Sequence, residues 1–384
     1  MTLEGELVVT LARDGQRVQR VNVRSTRPLV ASRILVGKTA VDAAATVPLL
    51  YSLCGGAHGA AAACALAAAG AAGFDEHSAA RAAGIIVESL QEGFWHLLIG
   101  WPNAIGSEPQ FTPVTAARYL IATSIRSSDG TERLGDNEAM YKLALGLTRI
   151  AARSLFAMAP AEFLALSDVA ALEAWAERTS TVPARLLRHV LAEPSIQRRS
   201  DVRLMPAARR DLLLHVVAPA LRDDPGFARA PTWDGAPVET GALARMREHP
   251  LVAACDRRFG HATVTRIVAR IAEVALSLEE LASGHEAIAA KPRAQSVALG
   301  AGDGLGSVET ARGLLLHRAR VHDECVVDYQ IVAPTEWNFH PDGALVQSMT
   351  GAAADDEGAL LRSARLNIHT LDPCVACRVE VARA

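Results

Sequence analysis

Between Asp42 and Asp75 the chain carries no Asp, Glu, Lys or Arg, and His58 is its only basic side chain. A stretch that long without charge either crosses a bilayer or is packed inside a protein. Its content decides between them. Pro48, Gly55, Gly56, Gly59, Gly70 and Gly73 interrupt it, and most of the remainder is alanine, which is only weakly apolar. A buried core segment is expected, and no membrane partner. Alanine loses no side-chain entropy in a helix, and aromatics make up only 4% of the 384 residues, so helices are favoured over an aromatic-rich β-sandwich. The formal net charge of −3, mixed locally, gives no case for nucleic acid as a partner. "MTLEGELVV" has neither a basic nor an apolar leader region, so no signal peptide is expected. The six cysteines then read as reduced cytoplasmic thiols, not as a disulfide framework.

Patterning along the chain predicts an α+β fold that is mostly α. Residues 6–36 read as short strands, with Asp14-Gly15 as a hairpin turn. Helical patterns cover 58–99, 114–125, 134–158, 160–178, 183–193, 206–222, 240–254 and 261–283, with a loop at 223–237. "GAGDGLGS" (300–307) reads as a glycine-rich hinge leading into the alternating runs of "GLLLHRARVHDECVVDYQIV". It lacks G-K-[ST] and precedes a strand, so a flexible turn is expected there and not a phosphate loop. A final irregular segment carries a cysteine pair. No internal repeat is found, and the expected organisation is one domain, 1–384: an N-terminal β segment (1–40), a helical core (58–290) and a C-terminal β/irregular segment (305–384).

That cysteine pair, Cys374 and Cys377 in "LDPCVACRVEVARA", suits a redox couple, half a zinc site, or half a site for another metal. Cys54, in "LYSLCGGAHG", sits where a helix should begin, and the positive helix end should lower its thiol pKa. His58 follows four residues later. Three thiolates, with His58 as an auxiliary candidate, favour zinc, iron or nickel over magnesium or calcium. Spacing alone leaves these alternatives open.

The wording around the cysteines narrows them. "LDPCVAC" resembles the C-terminal motif D-P-C-x-x-C-x-x-H of nickel-iron hydrogenase large subunits, and "SLCGGAH" resembles their R-x-C-G-x-C-x-x-x-H. "LEGELVV" with "RPLVASRILVGK", then "WDGAPVETGALAR", then "VETARGLLLH" with "DYQIVAPTEWN", resemble further family segments in the same order. The resemblance spans essentially the whole chain and implies the large-subunit fold, a central helical bundle with small β elements from both ends.

Departures from the pattern fall on the metal ligands. In that family four cysteines hold nickel and iron, and the second of each pair bridges them. Here Ala57 stands at one bridging position. Glu380 replaces the histidine that helps hold magnesium, Ala61 replaces the later N-terminal histidine, and Ser52 replaces the motif arginine. The resemblance therefore implies one thiolate-bound metal, with neither nickel nor magnesium expected. Arg312 and Thr335 match the family's arginine and hydroxyl residue that donate hydrogen bonds to iron-bound cyanides. Glu4 aligns with a proton-transfer glutamate and is expected to be structural here; His96 either echoes a family histidine behind the metal or is a packed histidine. Cys64, Cys255 and Cys325 read as small buried hydrophobes.

This shortened layout resembles the hydrogenase expression/formation proteins of the HupK/HoxV kind. It implies a non-catalytic maturation scaffold that holds the Fe(CN)2CO unit on Cys54, Cys374 and Cys377, Arg312 and Thr335 gripping the cyanides. The implied partners are the proteins that deliver the iron unit and the apo-large subunit of a hydrogenase. The alternatives are an active hydrogenase variant and a metal-free mimic of the large subunit that binds maturation proteins.

Overall fold

The computed structural model describes residues 5–27, 30–51, 54–75, 78–125, 134–290, 293–353 and 356–383. Strand β1 (Glu6–Asp14) turns at Gly15, whose φ of 59° suits a residue without Cβ, into antiparallel β2 (Arg17–Ser25). Leu7, Val9 and Leu11 alternate onto one buried face. The strand reading fails after β2: Val30–Leu35 and Ala40–Thr46 are short helices. The chain there closes its hydrogen bonds locally and docks against a C-terminal strand, with the Gly37 N–H donating to the Val326 carbonyl.

The uncharged run becomes α1 (Gly55–Ala68), buried on nearly every side, as a helix that is apolar all round must be. Among the described residues no helix is long and apolar enough to cross a membrane. Helix α2 (Ala79–Trp95) follows α1 and starts where the Ser78 hydroxyl accepts the Arg81 N–H. Helices Pro160–Leu164 and Val169–Arg178 likewise divide the expected 160–178 pattern, because the Asp168 carboxylate accepts the Ala171 N–H and starts a new helix. At the centre lies α3 (Thr263–Ala282), almost wholly buried, yet carrying Arg266, Arg270 and Glu273 along one face.

The glycine-rich segment is not a hinge. Strands β3 (Ala294–Gly300), β4 (Asp303–Thr310), β5 (Gly313–His322) and β6 (Cys325–Val332) form one antiparallel sheet with the order β6-β5-β4-β3. Alanine-rich α1 lies directly on it. A Cβ on Gly304 would come within 2.2 Å of the Ala65 carbonyl oxygen, and one on Gly306 within 2.1 Å of the Ala61 oxygen. These glycines let two backbones touch. Gly306→Ala should therefore destabilise the fold by about 3 kcal/mol, the upper end of the overpacking range, as read by chemical denaturation.

Finally α4 (Glu357–Leu371) ends at Asp372, left-handed at φ 59°, and the chain enters β7 (Ala376–Arg383). The segment expected to be irregular is thus a strand. The edge of β1 templates it in parallel, with Leu7 opposite Cys377 and Thr10 opposite Glu380. Cys377, Val379 and Val381 share the face that packs on Leu7, Val9, Leu11 and Ile368. Both ends of the chain are thereby zipped together beside the helical centre.

Candidate functional site

The N-terminus of α1, the turn between α4 and β7, the β4–β5 turn and the segments after β2 and β6 bring their side chains to one place. Cys54 is the residue just before α1. Cys374 follows Pro373 in the α4–β7 turn, and Arg27 Nη2 donates to its sulfur at 2.6 Å. The Cys374 N–H donates to Thr335 Oγ1 at 3.2 Å, and the same hydroxyl lies 3.0 Å from Cys374 Sγ. A hydroxyl that accepts from N–H keeps its own proton for the sulfur. Arg27 also faces Glu336 at 3.6 Å, whose carboxyl burial pushes up.

Arg312 is held from behind. Its Nη2 lies 2.7 Å from Glu92 Oε2 and its Nε 3.4 Å from Asp372 Oδ1, whereas Nη1 makes no hydrogen bond among the described residues. Asp372 also faces His96 Nε2 at 2.9 Å and Arg270 Nη2 at 2.8 Å. Burial alone would raise the Asp372 carboxyl; the charges of His96 and Arg312 outweigh it and hold the group below the ordinary carboxylate range. Arg270 and Arg245 share Glu273, and Arg245 reaches Glu309 at 2.8 Å. The guanidinium thus has a fixed direction, set by buried ion pairs.

Glu88 on α2 accepts the N–H groups of Gly56 at 2.9 Å and Ala57 at 3.3 Å, so a carboxylate caps the first turn of α1 where a second thiol is missing. Burial pushes this carboxyl up to about 7, against the pull of those N–H groups. A raised folded pKa means the native state holds a proton that the unfolded chain, near 4.3, releases. The contribution of Glu88 to stability should be lost as pH rises from about 4.3 to 7, against the opposite slope set by the buried neutral histidines His58 and His317, and Glu88→Gln should remove that loss in denaturation curves taken across the range.

The expected lowering of the Cys54 pKa is overturned. Burial, and then the neighbouring Cys374, push the thiol well up, while Arg312 and Arg27 pull the other way. A helix end acts only locally, whereas loss of water acts on the whole sulfur. Cys377 is pushed up to about 12 by burial and by Cys374, and its sulfur lies 3.6 Å from the Val375 carbonyl.

The structure therefore joins Cys54, Cys374, Arg312 and Thr335, and sets Cys377 beside them with its sulfur toward the β7 backbone. His58 stacks on Tyr51, with ring centroids 3.5 Å apart, and its Nδ1 lies 3.0 Å from His317 Nε2. Among the described residues no group of three or more His, Cys, Asp or Glu side chains could hold a metal ion as they stand. Cys64 and Cys255 are buried as expected, but Cys325 is only half-buried at the start of β6. Glu380 pairs with Arg378 on the exposed side of β7, and Ala57 and Ala61 are buried in α1. Glu4 and Ser52 lie outside the described residues. Sequence reasoning missed Arg27, Glu88, Glu92, Asp372 and Glu336. Asp372 stands inside the D-P-C motif, Glu88 and Glu92 share a helix face, and Arg27 opens the "RPLVASRILVGK" segment, where the resemblance gave it no role.

A model of the nickel-dependent hydrogenase family matches residues 220–380. The hydrogenase expression/formation protein HoxV of Cupriavidus necator is 31% identical over 376 residues, covering 94% of this chain and 93% of its own length. HupK of Rhizobium leguminosarum bv. viciae is 31% identical over 377 residues, covering 95% and 93%. The Ni-Fe-Se hydrogenase of D. vulgaris Hildenborough superposes with a TM-score of 0.60 at 18% identity over 95% of each chain, and bears out the mostly helical α+β fold. With such identity to HoxV and HupK along nearly its full length, the chain belongs to the hydrogenase expression/formation proteins, within the nickel-iron hydrogenase large-subunit family.

Proposed function

We propose that this maturation protein is a carrier that holds the Fe(CN)2CO unit on cysteine thiolates and hands it to an apo-large subunit. The observation that carries the reading is the meeting of Cys54 and Cys374, more than three hundred residues apart, under three fixed hydrogen-bond donors, Arg27, Arg312 and Thr335. Thiolates suit iron, and guanidinium and hydroxyl groups suit anionic cyanide nitrogens. Arg312 Nη1 supplies an unused donor for that purpose. Cys377 would join as a third ligand by turning its sulfur from the Val375 carbonyl.

With Ala57 in place of a bridging cysteine and Glu380 in place of a histidine, the chain would neither close around a nickel-iron pair nor turn over hydrogen. An open ligand set also suits release of the cargo. A groove of about 690 Å³, lined by Tyr51, Gly55, Gly56, Glu88 and Gln91 among others, opens beside Cys54, and there a delivery protein or the recipient would reach the unit. The free cysteines suit a reducing cytoplasm.

Metal analysis of protein isolated anaerobically from a hydrogenase-forming host should find iron without nickel. Stoichiometric nickel with hydrogen-dependent dye reduction would overturn the carrier. Among the described residues no three-ligand cluster stands ready for a metal, which favours one other reading, a metal-free mimic that engages maturation proteins. If the double variant Cys54→Ala/Cys374→Ala matures the host hydrogenase as well as the parent does, that reading stands instead.

A further inference from the structure

Behind Cys54 runs a buried chain that the ligand set does not use: Tyr51 against His58, His58 against His317, His317 against Tyr329. His317 Nε2 lies 3.0 Å from His58 Nδ1, and His317 Nδ1 lies 2.7 Å from the Tyr329 hydroxyl. His58, His317 and Tyr329 are all at most 2% exposed. Around Tyr329 the packing is apolar, from Leu35, Val47, Ala62, Leu66 and Val326.

The direction of this chain follows from counting protons. Among the described residues Tyr329 Oη makes one hydrogen bond, to His317 Nδ1, so its O–H must donate there or stand as a buried orphan donor. Leaving such a donor unmade costs about 1–3 kcal/mol. His317 Nδ1 is then an acceptor, and the ring's proton lies on Nε2, which donates to His58 Nδ1. His58 Nδ1 is therefore also an acceptor. Each ring accepts at Nδ1 and so carries a single proton, as suits rings this deeply buried. The one proton of His58 must sit on Nε2.

We infer that Tyr329 and His317 lock His58 as the Nε2–H tautomer, making it a hydrogen-bond donor to an anionic ligand of the cargo and not a ligand of the metal. A nitrogen that carries a proton has no lone pair for iron. The ring lies within electrostatic reach of both Arg27 and Arg312, the guanidiniums that would attract those anionic groups. This second half rests on the carrier reading; the tautomer does not.

Long-range ¹⁵N–¹H correlation spectra of the full chain, labelled at histidine nitrogen and assigned with His58→Gln, report which ring nitrogen of His58 bears the proton. Protonation at Nε2 is expected, and protonation at Nδ1 with a bare Nε2 would overturn the inference. In iron-loaded protein, His58→Ala should release iron roughly tenfold faster, about the effect of one hydrogen bond to a charged group, and should shift a cyanide stretch. His58→Gln keeps an N–H at the Nε2 position and should restore both; equal loss in Gln and Ala would make His58 a metal ligand. If the parent protein holds no iron, the carrier reading and the recipient of the hydrogen bond fall together, while the nitrogen spectra still decide the tautomer.

Discussion

If the protein carries iron as proposed, Cys374→Ala is expected to abolish iron binding, and Cys54→Ala to do the same. Changes to groups around a metal ligand weaken binding about 10–100-fold, and loss of a ligand itself should exceed that. Of the three thiols, Cys374 has the most support: Arg27 donates to its sulfur at 2.6 Å and the Thr335 hydroxyl lies 3.0 Å away. Cys377 should matter less, because its sulfur lies against the Val375 carbonyl on the packed face of β7. Arg27→Ala and Thr335→Val, which leave all three sulfurs in place, should fall within the 10–100-fold window. Iron content after anaerobic purification, followed by competition with a chelator, ranks the variants. Equal iron in Cys374→Ala and the parent would contradict the ligand assignment.

Asp372→Asn should produce the largest loss of stability, about 3–5 kcal/mol, the cost of breaking a buried pair from one side. One carboxylate faces His96, Arg312 and Arg270 in the core, and the amide would leave the two guanidiniums with only Glu92 and Glu273 as counter-charges. Arg378→Ala, at an exposed pair with Glu6, should cost at most about 1 kcal/mol. The effect has a pH signature. The folded pKa of Asp372 lies below its unfolded value, near 3.9, so its contribution is complete above about pH 4 and is lost as pH falls toward the folded value. Asp372→Asn should therefore flatten the acid limb of the stability curve as well as lower its plateau. Calorimetry across that range checks both, and a parallel shift of the whole curve would contradict this account of the carboxylate.

Much of the site was legible as wording, and little of it as chemistry. The D-P-C and C-G-G segments brought Cys54 and Cys374 together although nothing in their spacing could. Arg27 stayed hidden because it reaches Cys374 from the segment after β2, a contact made by folding and not by any local pattern. The Cys54 thiol was misread for the same reason: a helix end is visible in sequence, but burial and a second thiol are tertiary facts. "GAGDGLGS" looked flexible because glycine serves both turns and close contacts. Only the α1 backbone against Gly304 and Gly306 shows which use applies. β7 looked irregular because its order comes from the free edge of β1, at the other end of the chain.

Infrared spectroscopy of anaerobically isolated protein, from a host expressing its hydrogenase maturation machinery, tests the central claim most directly. The carrier account predicts two cyanide stretches and one carbonyl stretch that vanish in Cys54→Ala and Cys374→Ala and fade when apo-large subunit is added. A well-folded, full-length preparation showing none of these bands would contradict it.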